Sequence, residues 1–410
     1  MINGKPELLA PAGNLEKLKT AFLYGADAVY IGGEEYSLRV AADNFSFSDM
    51  KEGVAFAHDI GKKVYLTANI IPHNKDLNDF ADFLKSAVKT GIDAVIISDL
   101  GMFSIAKEIA PELDIHISTQ ANNVNYASAE SWYKLGAKRV ILARELSLEE
   151  IFEIRKKTDL NLELEAFVHG AMCISYSGRC LLSNYMTERD SNLGACAHPC
   201  RWKYSLVEET RPGEYFPVFE NERGTFIYNS KDLCMIEHIP ELVESGLSSF
   251  KIEGRVKTEY YLATVVKAYR NAIDQYFEQK DNYCFNPSLL EEIKKVSHRD
   301  YTTGFYFGKP SGEEQNYKTS SYIRNYELLG VVSDYDETTK TLSVIQKNRF
   351  FEESEVEFLC PHSDYINYKV TDLRDAESNK IDVANRPQQI VKMFCDIPIE
   401  VGSLMRGKRT

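Results

Sequence analysis

A short pattern of glycine and apolar residues recurs along the first 255 residues of the chain. It reads GADAVYIG from Gly25, GKKVYLTAN from Gly61, GIDAVIISD from Gly91, GAKRVILAR from Gly136 and GLSSFKIEG from Gly246. Each glycine suits the position just after a helix, where a positive φ is costly for other residues. Each apolar run is short and does not alternate with polar residues, which is typical of a parallel strand buried on both faces.

Three further runs bring the predicted strands to eight, starting near residues 7, 28, 64, 94, 115, 139, 162 and 249. Amphipathic stretches such as 77–90 and 147–157 separate them, and the second opens with a capping box of Ser147 and Glu150. Eight βα units predict an α/β fold of the (β/α)8 barrel type. An open doubly wound sheet is the alternative, but it usually has fewer strands, and no GxGxxG follows the first run.

Polar residues follow the predicted strands at the end where a (β/α)8 barrel carries its active site. They are Asn69, Asp99, Gln120, Arg144, His169, Glu253 and Arg255. Asn69 and Asp99 are equally well explained as helix caps. The remaining residues are therefore the better candidates for chemistry.

The predicted connection between strands seven and eight is abnormally long, at about 80 residues. It contains four cysteines with the spacing C-x6-C-x15-C-x3-C, namely Cys173, Cys180, Cys196 and Cys200. Four thiolates bind zinc or an iron–sulfur cluster, and the loose spacing of the first pair favours the cluster. Cys234 lies in SKDLCMIEHI, which reads as the start of a helix, and we interpret it as a core residue.

Beyond the predicted barrel, the pattern changes from helical to alternating. A helix is predicted over 260–278 and a shorter one after Asn286, and strand-like runs follow at 328–332, 341–346, 355–359 and 390–395. Short strands separated by turn signals predict a small β-barrel. The expected organisation is a barrel over 1–280 with the cysteine insertion at 170–248, a linker over 281–324 and a C-terminal domain over 325–410. This domain ends in a basic tail with Arg406, Lys408 and Arg409.

Charge and hydropathy restrict the classes of function. The chain has 48 Lys and Arg against 61 Asp and Glu, a net charge of −13, which argues against a protein that coats nucleic acid but leaves room for one basic patch. It has no apolar stretch of about 18 residues and does not start like a secretory signal. We therefore expect a cytoplasmic protein with no membrane span.

Long ordered motifs resemble a known family. The segment ELEAFVHGAMCISYSGRCLLSNY resembles the signature of the collagenase-like peptidase family U-32, and PELLAPAGN, GADAVYIGG, NSKDLC, KIEGR and HRDYTTGFYFGKP extend the resemblance over essentially the whole chain. Within the family, YSLRV, ISTQANNVN, ILARELSLEEI and GACAHPCRW look most like the tRNA uridine hydroxylase branch. The resemblance implies a prephenate-dependent enzyme that makes 5-hydroxyuridine at the wobble position of tRNA. It also implies a [4Fe-4S] cluster on Cys173, Cys180, Cys196 and Cys200.

The resemblance gives the candidate residues their expected roles. The carboxylates of a small anionic co-substrate such as prephenate need cations, and the candidates are Arg39, Arg144, Lys251 and Arg255, with Gln120 as a further substrate-binding residue. His169 is expected either to act as a general acid or base or to support the cluster. Glu253 is expected to act as a base or to orient Arg255.

Two other classes of function stay open. One is a U-32-type peptidase, although the chain contains neither GxSxG nor HExxH. The other is an iron–sulfur accessory protein without turnover of its own. Besides tRNA, a paralogous family member is an expected partner.

Overall fold

Strands and helices alternate along the first part of the chain, and a run of strands follows. The structure is a computed structural model and describes residues 4–38, 43–173, 175–202, 205–206, 216–217, 231–308 and 322–409. The strands are β1 (Glu7–Pro11), β2 (Ala28–Gly32), β3 (Lys63–Ala68), β4 (Ala94–Ile97), β5 (Asp114–Ile117), β6 (Arg139–Ile141), β7 (Glu163–Ala171), β8 (Ser205–Leu206), β9 (Phe216–Pro217), β10 (Asp232–Cys234), β11 (Ser249–Ile252), β12 (Tyr301–Thr302), β13 (Tyr326–Asp336), β14 (Thr341–Gln346), β15 (Phe350–Phe351), β16 (Glu355–Leu359), β17 (Ile366–Lys369), β18 (Thr371–Arg374), β19 (Val383–Ala384), β20 (Ile390–Phe394) and β21 (Leu404–Lys408). The helices are α1 (Leu15–Leu23), α2 (Phe47–Asp59), α3 (Phe80–Val88), α4 (Leu100–Ile109), α5 (Tyr126–Leu135), α6 (Leu148–Lys157), α7 (Leu182–Thr187), α8 (Ile239–Glu244), α9 (Glu259–Gln279) and α10 (Pro287–Ile293).

Eight parallel strands close into a barrel in the order β1 to β7 followed by β11. The closure is direct, because β11 pairs in parallel with both β7 and β1. All eight strands lie where the repeat and the three further runs predict them. The five repeat glycines have φ values between +69° and +106°, as expected for residues that end helices. The (β/α)8 prediction is confirmed, and the open sheet is excluded.

The predicted helices lie outside these strands. The helix over 147–157 is α6, and its capping box forms as expected: the Ser147 hydroxyl accepts from the Glu150 amide, and the Glu150 carboxylate accepts from the Ser147 amide at 2.8 Å. The helix over 260–278 is α9, whose inner face packs against the barrel. Asn286 caps α10.

Two short strands extend the sheet beyond the barrel. β10 pairs antiparallel with the last residues of β7, placing Cys234 opposite His169, and β12 pairs with β10. Cys234 is buried in the core, as predicted, but it lies on a strand and not at the start of a helix. The long β7 therefore has a supported end from which the cysteine insertion leaves.

The lower interior of the barrel, at the N-terminal ends of the strands, is filled by an ionic network. The Arg139 guanidinium lies 2.6 Å from a carboxylate oxygen of Glu7, 2.6 Å from one of Glu163 and 2.8 Å from one of Glu165. The Lys251 ammonium lies 2.8 Å from the other oxygen of Glu165. These charges are paired with one another, so ion-paired side chains fill the interior at this end of the barrel.

The C-terminal part of the chain forms an antiparallel half-barrel of seven strands, in the order β17-β16-β21-β13-β14-β20-β18, with its own apolar core. The four predicted runs correspond to β13, β14, β16 and β20. It contacts the outside of the barrel, where the Tyr24 hydroxyl donates to the carbonyl of Leu359 at 2.8 Å and the Lys267 ammonium donates to the carbonyl of Cys360.

The structure corrects the interpretation of the last residues as a basic tail. Its residues form β21, an interior strand of the half-barrel between β16 and β13. Arg406 is fully buried and forms ion pairs with Glu292 and Glu357. Only Lys408 and Arg409 of the three basic side chains are exposed. Within the described ranges, no helix combines the length and apolar character needed to cross a membrane.

Candidate active site

A cavity lies at the C-terminal ends of the barrel strands, where the predicted site residues gather. It is lined by Tyr30, Leu38, Thr67, Asn69, Ile96, Ser118, Thr119, Gln120, Ile141, Arg144, Phe167, Lys251, Glu253 and Arg255. We call it the mouth cavity. Five predicted site residues therefore meet in one place, although they come from three different strand ends.

Arg255 is held rigidly at the wall of the mouth cavity. Its Nη1 donates to the hydroxyls of Ser37 at 2.6 Å and Thr67 at 2.9 Å, and the residue is 3% exposed. Gly32 makes room for it, because a Cβ at that position would lie 1.9 Å from Nη1. Glu253 lies in the same wall and is buried, and its main-chain amide donates to the carbonyl of His169 at 2.8 Å.

Lys251 forms part of the floor of the mouth cavity. Its ammonium is bonded to Glu165 and lies 4.4 Å from the centre of the Tyr30 ring. Burial lowers the pKa of Lys251, although the charge of Glu165 opposes this effect. The predicted anion-binding cation is thus present, but a carboxylate of the protein already faces it.

A second cavity adjoins the first and contains the four clustered cysteines. Cys173, Cys180, Cys196 and Cys200 all line it, and it shares Leu38, Thr119, Gln120 and Arg144 with the mouth cavity. We call it the cysteine cavity. Within the described part of the chain, no three His, Cys, Asp or Glu side chains converge closely enough to hold a single metal ion.

The thiols of the cysteine cavity influence one another. Cys173 is an exposed residue, but the protein around its thiol raises the pKa of the thiol by desolvation. Charge on Cys180 and Cys196 acts in the same direction, whereas Arg144 opposes it. The main-chain amide of His198 donates to the sulfur of Cys196 at 3.4 Å. Such N–H donors stabilise thiolates, the form in which cysteine binds metal.

The segment that carries the cysteines is fastened to the barrel mouth as a lid. The Ser177 amide donates to the Glu145 carboxylate at 2.8 Å, and the Ile71 amide donates to the carbonyl of Asn192 at 3.0 Å. Gly178 has a φ of +71°, and a Cβ there would lie 2.1 Å from the Gln120 carbonyl oxygen. Only glycine allows the lid to lie this close to the strand ends.

His169 lies at the predicted strand end but faces away from both cavities. β7 has a bulge there: Phe167 pairs with Lys251, and His169 pairs with the next residue, Ile252. Because the bulge reverses the alternation of faces, Phe167 points into the barrel and His169 points out of it.

The outward side chain of His169 is enclosed by aromatic rings. Its ring centre lies 6.0 Å from that of Tyr261 and 5.5 Å from those of Tyr269 and Tyr301. Burial, with contributions from Lys257 and His298, lowers the pKa of His169 to about 3. A neutral, enclosed imidazole that faces away from both cavities does not fit the role of an acid or base that touches substrate.

Some site residues were not predicted. Ser37 and Thr67 orient Arg255, and Glu145 and Ser177 fasten the lid. Asn69, which was equally well explained as a cap, bonds instead to Leu38 and Ser118, whereas Asp99 does cap α4. The position of Glu145 directly after a strand-end arginine was the available signal. Arg39, a predicted substrate-binding residue, lies outside the described residues.

The sequence was compared with protein-family models and with curated proteins. The model of peptidase family U32 matches residues 13–316, and that of the peptidase family U32 C-terminal domain matches residues 324–406. The chain is 43% identical over 406 residues to tRNA hydroxylation protein P1 of Bacillus subtilis, covering 99% of this chain and 96% of that protein. It is 40% identical over 419 residues to tRNA hydroxylation protein P of Escherichia coli, covering 93% and 91%. A 23S rRNA 5-hydroxycytidine synthase of Escherichia coli is 35% identical over 305 residues, covering 73% of this chain and 45% of that protein.

Proposed function

The chain belongs to peptidase family U32 and is a homologue of tRNA hydroxylation proteins, and on this premise we propose that it converts the wobble uridine of tRNA to 5-hydroxyuridine in a prephenate-dependent reaction. One observation carries the proposal: the cysteine cavity adjoins the mouth cavity, and the two share lining residues, among them Gln120 and Arg144. Enzymes that act on a nucleobase take it out of the stack into such a pocket. The target base would then lie between the four thiols and the strand-end cations.

The cysteine cavity fits a [4Fe-4S] cluster held by Cys173, Cys180, Cys196 and Cys200. The four thiolates of a cubane each bind a different iron, and all four of these cysteines line the one cavity. When bound, such a cluster supplies electron transfer, or Lewis acidity at an iron that lacks a thiolate.

The mouth cavity fits an anionic co-substrate. Arg255 is fixed by two neutral hydroxyls, and an arginine can bind a carboxylate through two parallel hydrogen bonds. Lys251 is paired with Glu165. We assign the first carboxylate contact to Arg255, because a guanidinium presents two parallel donors to a carboxylate and an ammonium does not. Glu253 lies in the same wall and is the group we assign as a general base beside the substrate.

The proposal is tested by mass spectrometry of tRNA nucleosides from a strain that lacks the gene and carries plasmid-borne variants. Wild-type protein is expected to restore 5-hydroxyuridine and its derivatives, whereas Cys173→Ala should restore none and should lose its iron when purified anaerobically. Cys234→Ala and Cys284→Ala are matched controls, since neither residue lines the cysteine cavity, and both should restore the modification.

Three outcomes contradict the proposal or part of it. If the modification is unchanged in the deletion strain, the chain is not the hydroxylase. If purified protein cleaves gelatin and Cys173→Ala cleaves it equally well, the peptidase alternative is favoured. Stoichiometric zinc without iron after anaerobic preparation would exclude the cluster.

A further inference from the structure

Of the four residues shared by the mouth cavity and the cysteine cavity, Gln120 and Arg144 have the long polar side chains. Gln120 lies in the 3-10 helix Thr119–Ala121 that follows β5, and Arg144 lies three residues after the end of β6. Both line both cavities. A base placed between the lid and the barrel would therefore meet these two residues first.

Gln120 has a fixed backbone and an available carboxamide. Its amide donates to the Ser118 hydroxyl at 3.2 Å, and Gly178 of the lid packs directly on its carbonyl. Its side-chain amide makes no hydrogen bond to any residue that the structure describes. A side chain that is positioned in this way and left without a partner is suited to bind a ligand.

Arg144 is positioned in a similar way. One nitrogen, Nη1, donates to the carbonyl of Ala171 at 2.8 Å, and the guanidinium carbon lies 3.9 Å from the centre of the Phe167 ring. Its Nε is buried and has no hydrogen-bond partner within the described part of the chain. The guanidinium is therefore oriented by a carbonyl and a ring, and no described carboxylate pairs with it.

We propose that Gln120 and Arg144 together read the target base and select uracil over cytosine, an inference that rests on the proposed function. Gln120 alone cannot discriminate, because its amide can turn over. In one orientation it pairs with N3–H and O4 of uracil, and in the other with N3 and the N4 amine of cytosine. The arginine side chain has hydrogen-bond donors only. Opposite position 4 of the base, it can donate to the carbonyl oxygen of uracil but cannot pair with the amine of cytosine.

The proposal assigns Arg144 to the base and leaves Arg255 to the anionic co-substrate. This division matches the positions of the two arginines. Arg144 lies at the boundary with the lid, whereas Arg255 lines the mouth cavity only. The two arginines are thus predicted to affect different substrates.

The test uses anticodon stem–loop RNAs that carry either uridine or cytidine at the target position. Hydroxylation rates and binding by fluorescence anisotropy are measured for wild type, Arg144→Gln, Arg144→Lys and Gln120→Leu.

Arg144→Gln introduces an acceptor and should lower the uridine-to-cytidine ratio about tenfold or more, the scale of one lost base contact. Arg144→Lys keeps a side chain that only donates and should retain most of the preference for uridine. Gln120→Leu should weaken the binding of both RNAs to the same extent. Arg179→Gln, an exposed arginine of the lid that lines neither cavity, is the matched control.

The outcomes separate this inference from the proposed function. An unchanged ratio in a folded, iron-containing Arg144→Gln protein overturns the inference while uridine hydroxylation by wild type still stands. If wild type hydroxylates neither RNA, the proposed function fails, and the binding ratios measured on the same proteins decide the inference. Equal binding of both RNAs by wild type would also overturn it.

Discussion

Two arginines near opposite ends of β6 show how this barrel separates stability from chemistry. Arg139 begins the strand, is 5% exposed and contacts three carboxylates in the lower interior. Arg144 lies just beyond the other end of the strand and is held by the Ala171 carbonyl and the Phe167 ring. In (β/α)8 barrels the C-terminal ends of the strands carry the active site and the opposite ends contribute stability. The partners of the two arginines follow this division.

The electrostatics of the lower interior depend on pairing. Burial works against the charge of Arg139, but Glu7 and Glu165 outweigh burial and hold the pKa of its guanidinium well above its ordinary value. Burial likewise raises the pKa of Glu7, yet the charge and hydrogen bonds of Arg139 lower it overall. Each group keeps its charge because the other is present.

The largest expected effect comes from a substitution in the ionic network at the N-terminal ends of the strands. Arg139→Met should lower the free energy of unfolding by about 3–5 kcal/mol, because it leaves buried carboxylates without their partner. Arg144→Met is the matched variant and should cost no more than about 2 kcal/mol, the scale of one charged hydrogen bond. Urea denaturation of both proteins measures the difference. Equal losses would show that the two ends of β6 do not differ as the structure indicates.

The second prediction uses pH to probe the same interior. His116 on β5 is 2% exposed and stacks edge-on against Tyr65, with ring centres 4.7 Å apart. Burial, aided by the charges of Arg139 and Lys251, holds the pKa of His116 well below its ordinary value near 6.5. The unfolded chain therefore binds a proton at this residue at a pH where the folded protein does not. Stability is then complete above about pH 6.5 and falls as the pH decreases below it.

His116→Phe should remove this contribution while keeping the contact with Tyr65. The slope of unfolding free energy against pH, measured between pH 6.5 and 5, should decrease by up to about 1.4 kcal/mol per pH unit. Arg144→Met should leave the slope as it is in wild type, because arginine does not titrate in this range. If the slope is the same in His116→Phe and wild type, burial in the lower interior does not lower the pKa of His116.

The sequence predicted the barrel better than it predicted the site. The glycine repeat located five of the eight strands because a glycine after a helix and an apolar run after the glycine are local signals, and apolar runs alone located the other three. The pairing of Arg139 with Glu7 joins residues 132 positions apart and has no local signal. The bulge that turns His169 outward depends on the register between β7 and β11, which alternation along one strand does not reveal.

The same limit applies to the C-terminal domain. Arg406 reads as part of a basic tail, but β21 takes it into the sheet, where Glu292 and Glu357 neutralise it. A charged residue on a strand is exposed or buried according to which strands and helices lie beside it, and those neighbours come from distant parts of the sequence. Removal of the last six residues would therefore take away an interior strand as well as surface charge.

The smallest expected effect concerns the two exposed basic residues that follow Arg406, and it extends the contrast between paired and available charge to the half-barrel. If Lys408 and Arg409 contact tRNA phosphates, the variant Lys408→Ala/Arg409→Ala should keep its fold, since both side chains are exposed. Each lost contact should reduce the slope of log affinity against log salt by about 0.7–0.9. Lys51→Ala/Lys89→Ala removes two exposed charges from the outer helices of the barrel and serves as the control. Filter binding at several salt concentrations measures the slopes. A slope that falls equally in both variants would reflect net charge alone, and an unchanged slope would make the end of β21 a solvated edge with no phosphate contact.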